Sequence, residues 1–200
     1  MKAVIIGSTT LVAAAALGFY TWSASQPPAP CGDTAVATSA IGGPFELLSE
    51  TGALVTDRDV ITKPTLVYFG YTFCPDVCPL DSARNAQAAY MLADEGYDIG
   101  TVFITVDPDR DTTEVVAEFT DNFHEDMVGL TGTAEQVDAA SKAYRTYYRK
   151  QDGDDEYYLV DHSTQTYLMM PETGFATFFK REHTPEQIAQ TAACFIDAQA

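Results

Sequence analysis

Two apolar runs rich in β-branched and aromatic residues, 65–69 and 101–106, stand out from segments whose apolar positions recur at helical spacing. Runs of that length and composition predict strands buried on both faces. Between them, residues 80–93 carry Ala83, Ala86, Ala89, Tyr90 and Ala93 on one helical face, and Gly96 ends that helix. Strand, helix, strand at this spacing predicts a right-handed parallel crossover. Ahead of it, 45–48 and 53–55 read as a hairpin turning at Gly52. After it, residues 107–111 end the second strand, and Asp111 with Glu114 has the form of a capping box for a helix to about 123. The acidic residues of that turn read as helix caps and a solvated loop. Thr133 with Gln136, and Thr184-Pro185 with Gln187, predict helices over 134–149 and 185–197. A charged tip at 152–156 precedes strands at 157–160, 166–170 and 175–179, the last two forming a hairpin about Pro171–Gly174. Two βα units, a helix, a hairpin and a final helix make an α/β chain. That order suits a thioredoxin-like domain, a mixed sheet flanked by helices.

The opening stretch adds a second character. After Lys2 no charge appears through Trp22, and about 20 such residues can cross a bilayer as a helix. An uncleaved signal anchor, a membrane-spanning helix, competes with a signal peptide cleaved at Ser23-Ala24-Ser25. The aromatic trio Phe19, Tyr20 and Trp22 at the outer end favours the anchor. Residues 26–40, mostly Pro, Ala, Ser and Thr, then form a flexible linker to a domain over 41–200. On either reading the domain is exported. The chain holds 29 acidic against 11 basic residues, net −18 at pH 7. Such a charge repels phosphate backbones and excludes nucleic acid as a partner. It suits solubility, or steering toward a basic partner such as a cytochrome.

The chemistry concentrates at Phe73-Cys74-Pro75-Asp76-Val77-Cys78-Pro79, between the first strand and its helix. A helix N-terminus favours thiolate, and cysteines four apart on a helix lie within reach of a disulfide or of one metal ion. The pair is a redox couple, a soft-metal clamp, or both. Zinc usually takes four ligands, so two cysteines alone are an incomplete set for it. Export places Cys31, Cys74, Cys78 and Cys194 in an oxidising compartment. The near pair is expected to be the labile one, and Cys31 with Cys194 a static bridge. His162 lies far along the chain, and a lone histidine is more often structural than a ligand. His124 and His183 read as surface residues. A peroxidase would need an arginine beside the cysteine motif, and none stands there in the sequence.

Taken in order, Tyr68-Phe69-Gly70-Tyr71-Thr72-Phe73-Cys74-Pro75-Asp76-Val77-Cys78-Pro79, Val106-Asp107-Pro108-Asp109-Arg110-Asp111-Thr112, Gly129-Leu130-Thr131-Gly132-Thr133, Tyr144-Arg145-Thr146-Tyr147-Tyr148 and Val160-Asp161-His162-Ser163 resemble the Sco (SenC-like) copper chaperones of cytochrome c oxidase assembly. The resemblance spans nearly the whole domain. It implies a thioredoxin-like fold in which Cys74, Cys78 and His162 hold one copper ion, cuprous and also cupric. Asp76 and Asp161 are then the carboxylates placed to orient those ligands. Met169 and Met170 are either further soft ligands or core. At Met170 the chain departs from such proteins, which commonly carry an acidic residue there. The implied function is delivery of copper to the binuclear copper site of the oxidase's copper-bearing subunit, with other copper chaperones or a thioredoxin-like reductant as further partners. The implied setting is the bacterial inner membrane with the domain in the periplasm, or the mitochondrial inner membrane facing the intermembrane space. The alternative is a thiol-disulfide reductase that keeps the oxidase's copper-ligand cysteines reduced, although ordinary reductases of this fold have two residues between their cysteines.

Overall fold

The computed structural model describes residue 31, residues 41–153 and residues 157–199. The expected anchor or signal at 1–25, the linker at 26–40 apart from Cys31, and positions 154–156 of the acidic tip lie outside the described residues. Among the described residues no helix is long and apolar enough to cross a membrane. All the elements below belong to one compact unit within Thr34–Ala200.

The hairpin is β1 (Glu46–Ser49) and β2 (Leu54–Thr56), followed by a single turn, α1 (Asp57–Val60). Then come β3 (Thr65–Gly70), α2 (Val77–Asp94), β4 (Gly100–Thr105), α3 (Thr113–Asp121), β5 (Met127–Thr131) and α4 (Ala134–Ala143). Last are β6 (Tyr148–Lys150), β7 (Val160–His162), β8 (Thr166–Met170), β9 (Gly174–Phe179) and α5 (Pro185–Asp197). Seven strands form one mixed sheet in the order β2-β1-β5-β4-β3-β8-β9, and β6 with β7 forms a separate ladder. β3, β4 and β5 run parallel, and β1 and β8 flank them antiparallel. This is the thioredoxin-like arrangement that the pattern predicts, with the hairpin at one edge.

Consecutive residues of a strand face opposite sides of a sheet. Leu66 accordingly joins Leu92, Leu168, Ile188 and Ala192 in the core under α2 and α5, and Val67 joins Val116, Val137 and Tyr144 in the core under α3 and α4.

Four expectations need correction. The strand β5 was not anticipated, yet it is central. Gly129 breaks up its apolar run, and only glycine fits: a Cβ there would lie 2.3 Å from Val116 and 2.9 Å from the Glu50 carboxylate. The helix expected over 134–149 stops at Ala143. The Arg145 N–H donates to the Lys142 carbonyl at 3.1 Å and the Thr146 N–H to that of Ser141 at 3.0 Å, closing a Schellman motif with Arg145 at φ 52. Asp111 does not cap α3. Thr112 does, accepting from the Val115 N–H at 3.4 Å, while Asp107 and Asp111 are buried instead of solvated. The strand expected at 157–160 begins at Val160, and it pairs with β6, not with the main sheet.

Candidate metal centre

β3 delivers the chain to the carboxyl end of the parallel strands, where the cysteine turn begins. The turn is anchored by Asp111, whose carboxylate accepts from the Thr72 N–H at 3.0 Å, the Thr72 hydroxyl at 2.6 Å and the Thr105 hydroxyl at 2.5 Å. Burial raises the Asp111 pKa, and these three donors pull against it. Cys74 follows, its N–H donating to the Tyr71 carbonyl at 3.3 Å. Asp76 stands exposed at the N-cap position of α2 without a side-chain capping bond, Pro79 lies in the first turn, and Cys78 is fully buried there. Gly70 makes room for it: a Cβ on that residue would lie 3.0 Å from the Cys78 sulfur.

His162 arrives on the β6–β7 ladder, opposite Tyr148. Its Nε2 lies 3.3 Å from Cys78 Sγ. Its Nδ1 lies 2.8 Å from the Ser163 carbonyl, which only accepts, so Nδ1 carries a proton. Nε2 is then the nitrogen turned to the sulfurs, and in the neutral ring its lone pair is free to ligate. Tyr71 and Tyr68 stand edge-on to the imidazole at 5.7 and 6.3 Å between ring centres. The ligand atoms of Cys74, Cys78 and His162 all lie within 4.8 Å of one another.

The two thiols are free and unlike. Cys74 is lowered to about 3, chiefly because the Cys78 thiol donates to it, with the N–H groups of Cys78 and Asp76 adding to the effect against burial. The Cys78 N–H reaches the Cys74 sulfur at 3.4 Å. Burial pushes Cys78 up, as does its thiolate neighbour, while the Tyr71 N–H donates toward its sulfur at 3.5 Å. Two sulfurs and one imidazole nitrogen, converging with no fourth protein ligand among the described residues, form a soft, low-coordinate donor set, the kind that favours cuprous ion.

The two aspartates expected to orient the ligands stand elsewhere. Asp161 accepts from Gln151 at 2.6 Å and pairs with Arg149 at 3.4 Å, while the Ser163 carbonyl orients the ring. Asp76 presents its backbone N–H to Cys74, not its carboxylate. Met169 and Met170 are core residues of β8, and Met169 pairs with Thr65, at the far end of β3 from the cysteines. His124 stacks on Tyr90 at 4.2 Å, and His183 turns back on Lys180. An arginine does come beside the motif in space, against its phenylalanine and not among the groups that lower Cys74. Arg110 lies over Phe73 at 4.8 Å, with its guanidinium held by Asp107 at 2.6 Å.

A further group that the sequence reading passed over is Asp81, buried beneath the site. It accepts from the Tyr68 hydroxyl at 3.0 Å and pairs with Arg84 at 3.0 Å and Arg181 at 3.6 Å. Burial raises its pKa against the pull of those cations. Its spacing of three from Cys78 and from Arg84 was the available signal. A cavity of about 270 Å³ lies elsewhere, lined by Gly42, Arg58, Tyr144 and Met169 among others. The ligand trio is a point site beside the surface and does not depend on a cleft.

A model of the SCO1/SenC family matches residues 33–197. The chain belongs to the SCO1/SenC family. Protein SenC of Rhodobacter capsulatus is 61% identical over 165 residues, 82% of this chain and 75% of that one. The mitochondrial SCO1 homologue 1 of Arabidopsis thaliana is 42% identical over 151 residues, 75% of this chain but 45% of that one, so the chain spans about half the length of this Sco relative. Among solved Sco structures, Arabidopsis thaliana ScoI with copper bound superposes with a TM-score of 0.75 at 40% identity, covering 80% of this chain and all of that one.

Proposed function

We propose that this SCO1/SenC protein is a copper metallochaperone that carries one ion on Cys74, Cys78 and His162 and delivers it to the binuclear copper site of cytochrome c oxidase. The observation that carries the reading is the convergence of two thiol sulfurs and an imidazole nitrogen from distant parts of the chain. Two thiolates suit the cuprous ion, and the imidazole lets the site hold the cupric ion as well. Binding requires Cys78 to give up its proton to solvent as the metal enters. With no fourth protein ligand among the described residues, an incoming thiolate or imidazole can bind before any ligand leaves, and the ion passes on without being released. In this reading residues 1–25 tether the protein to the bacterial inner membrane, 26–40 supply reach, and the domain over 41–200 works in the periplasm. Its partners there are the oxidase's copper-bearing subunit and the copper chaperones or thioredoxin-like reductant that load or reduce it. Cys31 and Cys194, which are not among the free thiols, form its static bridge. Mass spectrometry of non-reduced digests should find them in one cross-linked peptide pair.

Copper titration tests the site. Cys74→Ala, Cys78→Ala and His162→Ala should each weaken cuprous binding severely, by about tenfold or more for the loss of one ligand. Unchanged affinity in any one removes that residue from the site.

The pairing of an exposed-side thiolate with a protonated thiol also fits a second reading, a thiol-disulfide reductase serving the same oxidase cysteines. His162→Ala separates the two. If this variant supports full oxidase assembly without binding copper, reduction is the function.

A further inference from the structure

His162 does not sit on the sheet that carries the cysteine turn. It ends a separate two-stranded ladder, so the approach of its imidazole to the sulfurs depends on what holds that ladder to the body. Tyr158, two residues before β7, is buried at 4% exposure, and its hydroxyl donates to Asp107 Oδ1 at 2.6 Å. Two cations lie over its ring, the Arg110 guanidinium and the Lys150 ammonium of β6, each 3.6 Å from the centroid. Asp107 is itself fixed. Its second oxygen takes the Arg110 Nε at 2.6 Å, and its N–H donates to the Thr105 hydroxyl at 2.9 Å. Arg110 also lies over Phe73 at 4.8 Å and Tyr71 at 5.9 Å, so one guanidinium touches both the cysteine turn and the residue that leads into β7. A hydroxyl bonded to a buried carboxylate is among the stronger hydrogen bonds available to a side chain.

We infer that Tyr158, acting through Asp107 and Arg110, is a positioning residue that holds the β6–β7 ladder, and with it His162, against Cys74 and Cys78. The inference rests on His162 being a copper ligand. Tyr158 touches neither sulfur nor imidazole, and its effect is to hold the nitrogen at ligating distance. Removing its hydroxyl leaves Asp107 paired with Arg110, so the body of the fold keeps its ion pair while the ladder loses one of its ties, the Arg110 contact to the ring and the packing of Val160 remaining.

The test uses the full chain and Tyr158→Phe, which keeps the ring under its two cations and deletes only the O–H. In the metal-free, reduced protein, amide hydrogen exchange at 148–150 and 160–162 should quicken by about tenfold while β3 and β4 keep their protection. Loaded with cuprous ion, Tyr158→Phe should release it to a strong cuprous chelator about five- to tenfold faster, and in a His162→Ala background it should add nothing. Asp107→Asn, which makes the bond neutral but keeps an acceptor, should move both readouts the same way by less. If His162→Ala releases copper faster and Tyr158→Phe does not, the inference alone is overturned. It is equally overturned if the Tyr158→Phe effect persists without the imidazole, because the tyrosine then acts on the sulfurs. If His162→Ala itself releases copper at the wild-type rate, the copper reading of the site falls and the inference falls with it.

Discussion

Cys74 and Cys78 hold one proton between them, and the direction of sharing is set by burial. Cys78 is fully enclosed and keeps its proton, while Cys74, nearer the surface, carries the charge. The leading cause of the low Cys74 value is the Cys78 S–H, so removing that donor should return Cys74 toward the ordinary 9.0. In metal-free, reduced protein the alkylation of Cys74, with its midpoint at about 3, should be nearly independent of pH above about 5 in the wild type. Cys78→Ala should shift the midpoint upward by several units, and Cys78→Ser, which restores an O–H donor, should recover most of the shift. A midpoint shared by Cys78→Ala and the wild type would mean that Cys78 is not the donor. Asp111 makes the opposite case. Burial raises its pKa above 3.8, so the folded chain holds its proton more tightly than the unfolded chain, and stability from this residue falls as pH rises through that window. In Asp111→Asn the amide is close in shape and the hydroxyls of Thr72 and Thr105 can rotate to suit it. The stability of the variant relative to wild type should therefore increase as pH rises above about 4 and level off once the folded wild type has lost this proton, as read in urea melts. A constant difference across that range would show that the carboxylate titrates as it does in the unfolded chain.

Elements were legible where capping residues announce them, and hidden where a single unusual residue does the work. The boxes at Thr133 with Gln136 and at Thr184 with Gln187 form as their spacing predicts. The cysteine turn between β3 and α2 was equally readable, because an apolar run followed by a proline-flanked pair leaves little choice. β5 was not, because Gly129 interrupts its pattern for a reason that lies on α3 and cannot be seen locally. Gly129→Ala drives a methyl into Val116 and should destabilise by about 1–3 kcal/mol, with Val116→Ala in the same chain recovering part of the loss. No recovery would place the strain at the Glu50 carboxylate, which accepts the Gly129 N–H at 2.8 Å. The end of α4 was hidden for a related reason. A Schellman stop normally shows a glycine, and here Arg145 occupies the left-handed position. Arg145→Gly removes a backbone cost of about 1–2 kcal/mol and returns part of it as unfolded-chain entropy, for a net gain of roughly 0.5–1 kcal/mol in thermal or urea melts. A loss would mean that the arginine side chain contributes more than its backbone costs. At the site itself the cysteine pair could be read from spacing, but His162 needed the family resemblance. The residues behind it, Tyr158, Asp107 and Arg110, could be assembled only in space, since the two contacts that join them, Tyr158 to Asp107 and Arg110 to Tyr158, span the gap between the turn after β4 and the lead into β7.

For the molecule as a whole, the excess of 29 acidic over 11 basic residues sets the sign of the salt response. Like charges on a folded surface repel more strongly than on an expanded chain, so the folded state is the one relieved by screening. Screening also weakens the exposed ion pairs Lys63–Asp98, Lys142–Asp138 and Arg149–Asp161, but pairs of that kind contribute little each. The repulsion wins, and the melting temperature at neutral pH should rise between about 20 mM and about 300 mM sodium chloride, by about 2–4 °C for each kcal/mol recovered in a chain of this size. The same excess should make association with a basic recipient slow as salt rises, because the attraction that speeds encounter is screened over the same range. The two responses have opposite practical signs, greater stability with slower encounter, and both come from one charge distribution. A melting temperature that falls with added chloride would show that the ion pairs outweigh the repulsion, and would remove the physical ground for electrostatic steering as well.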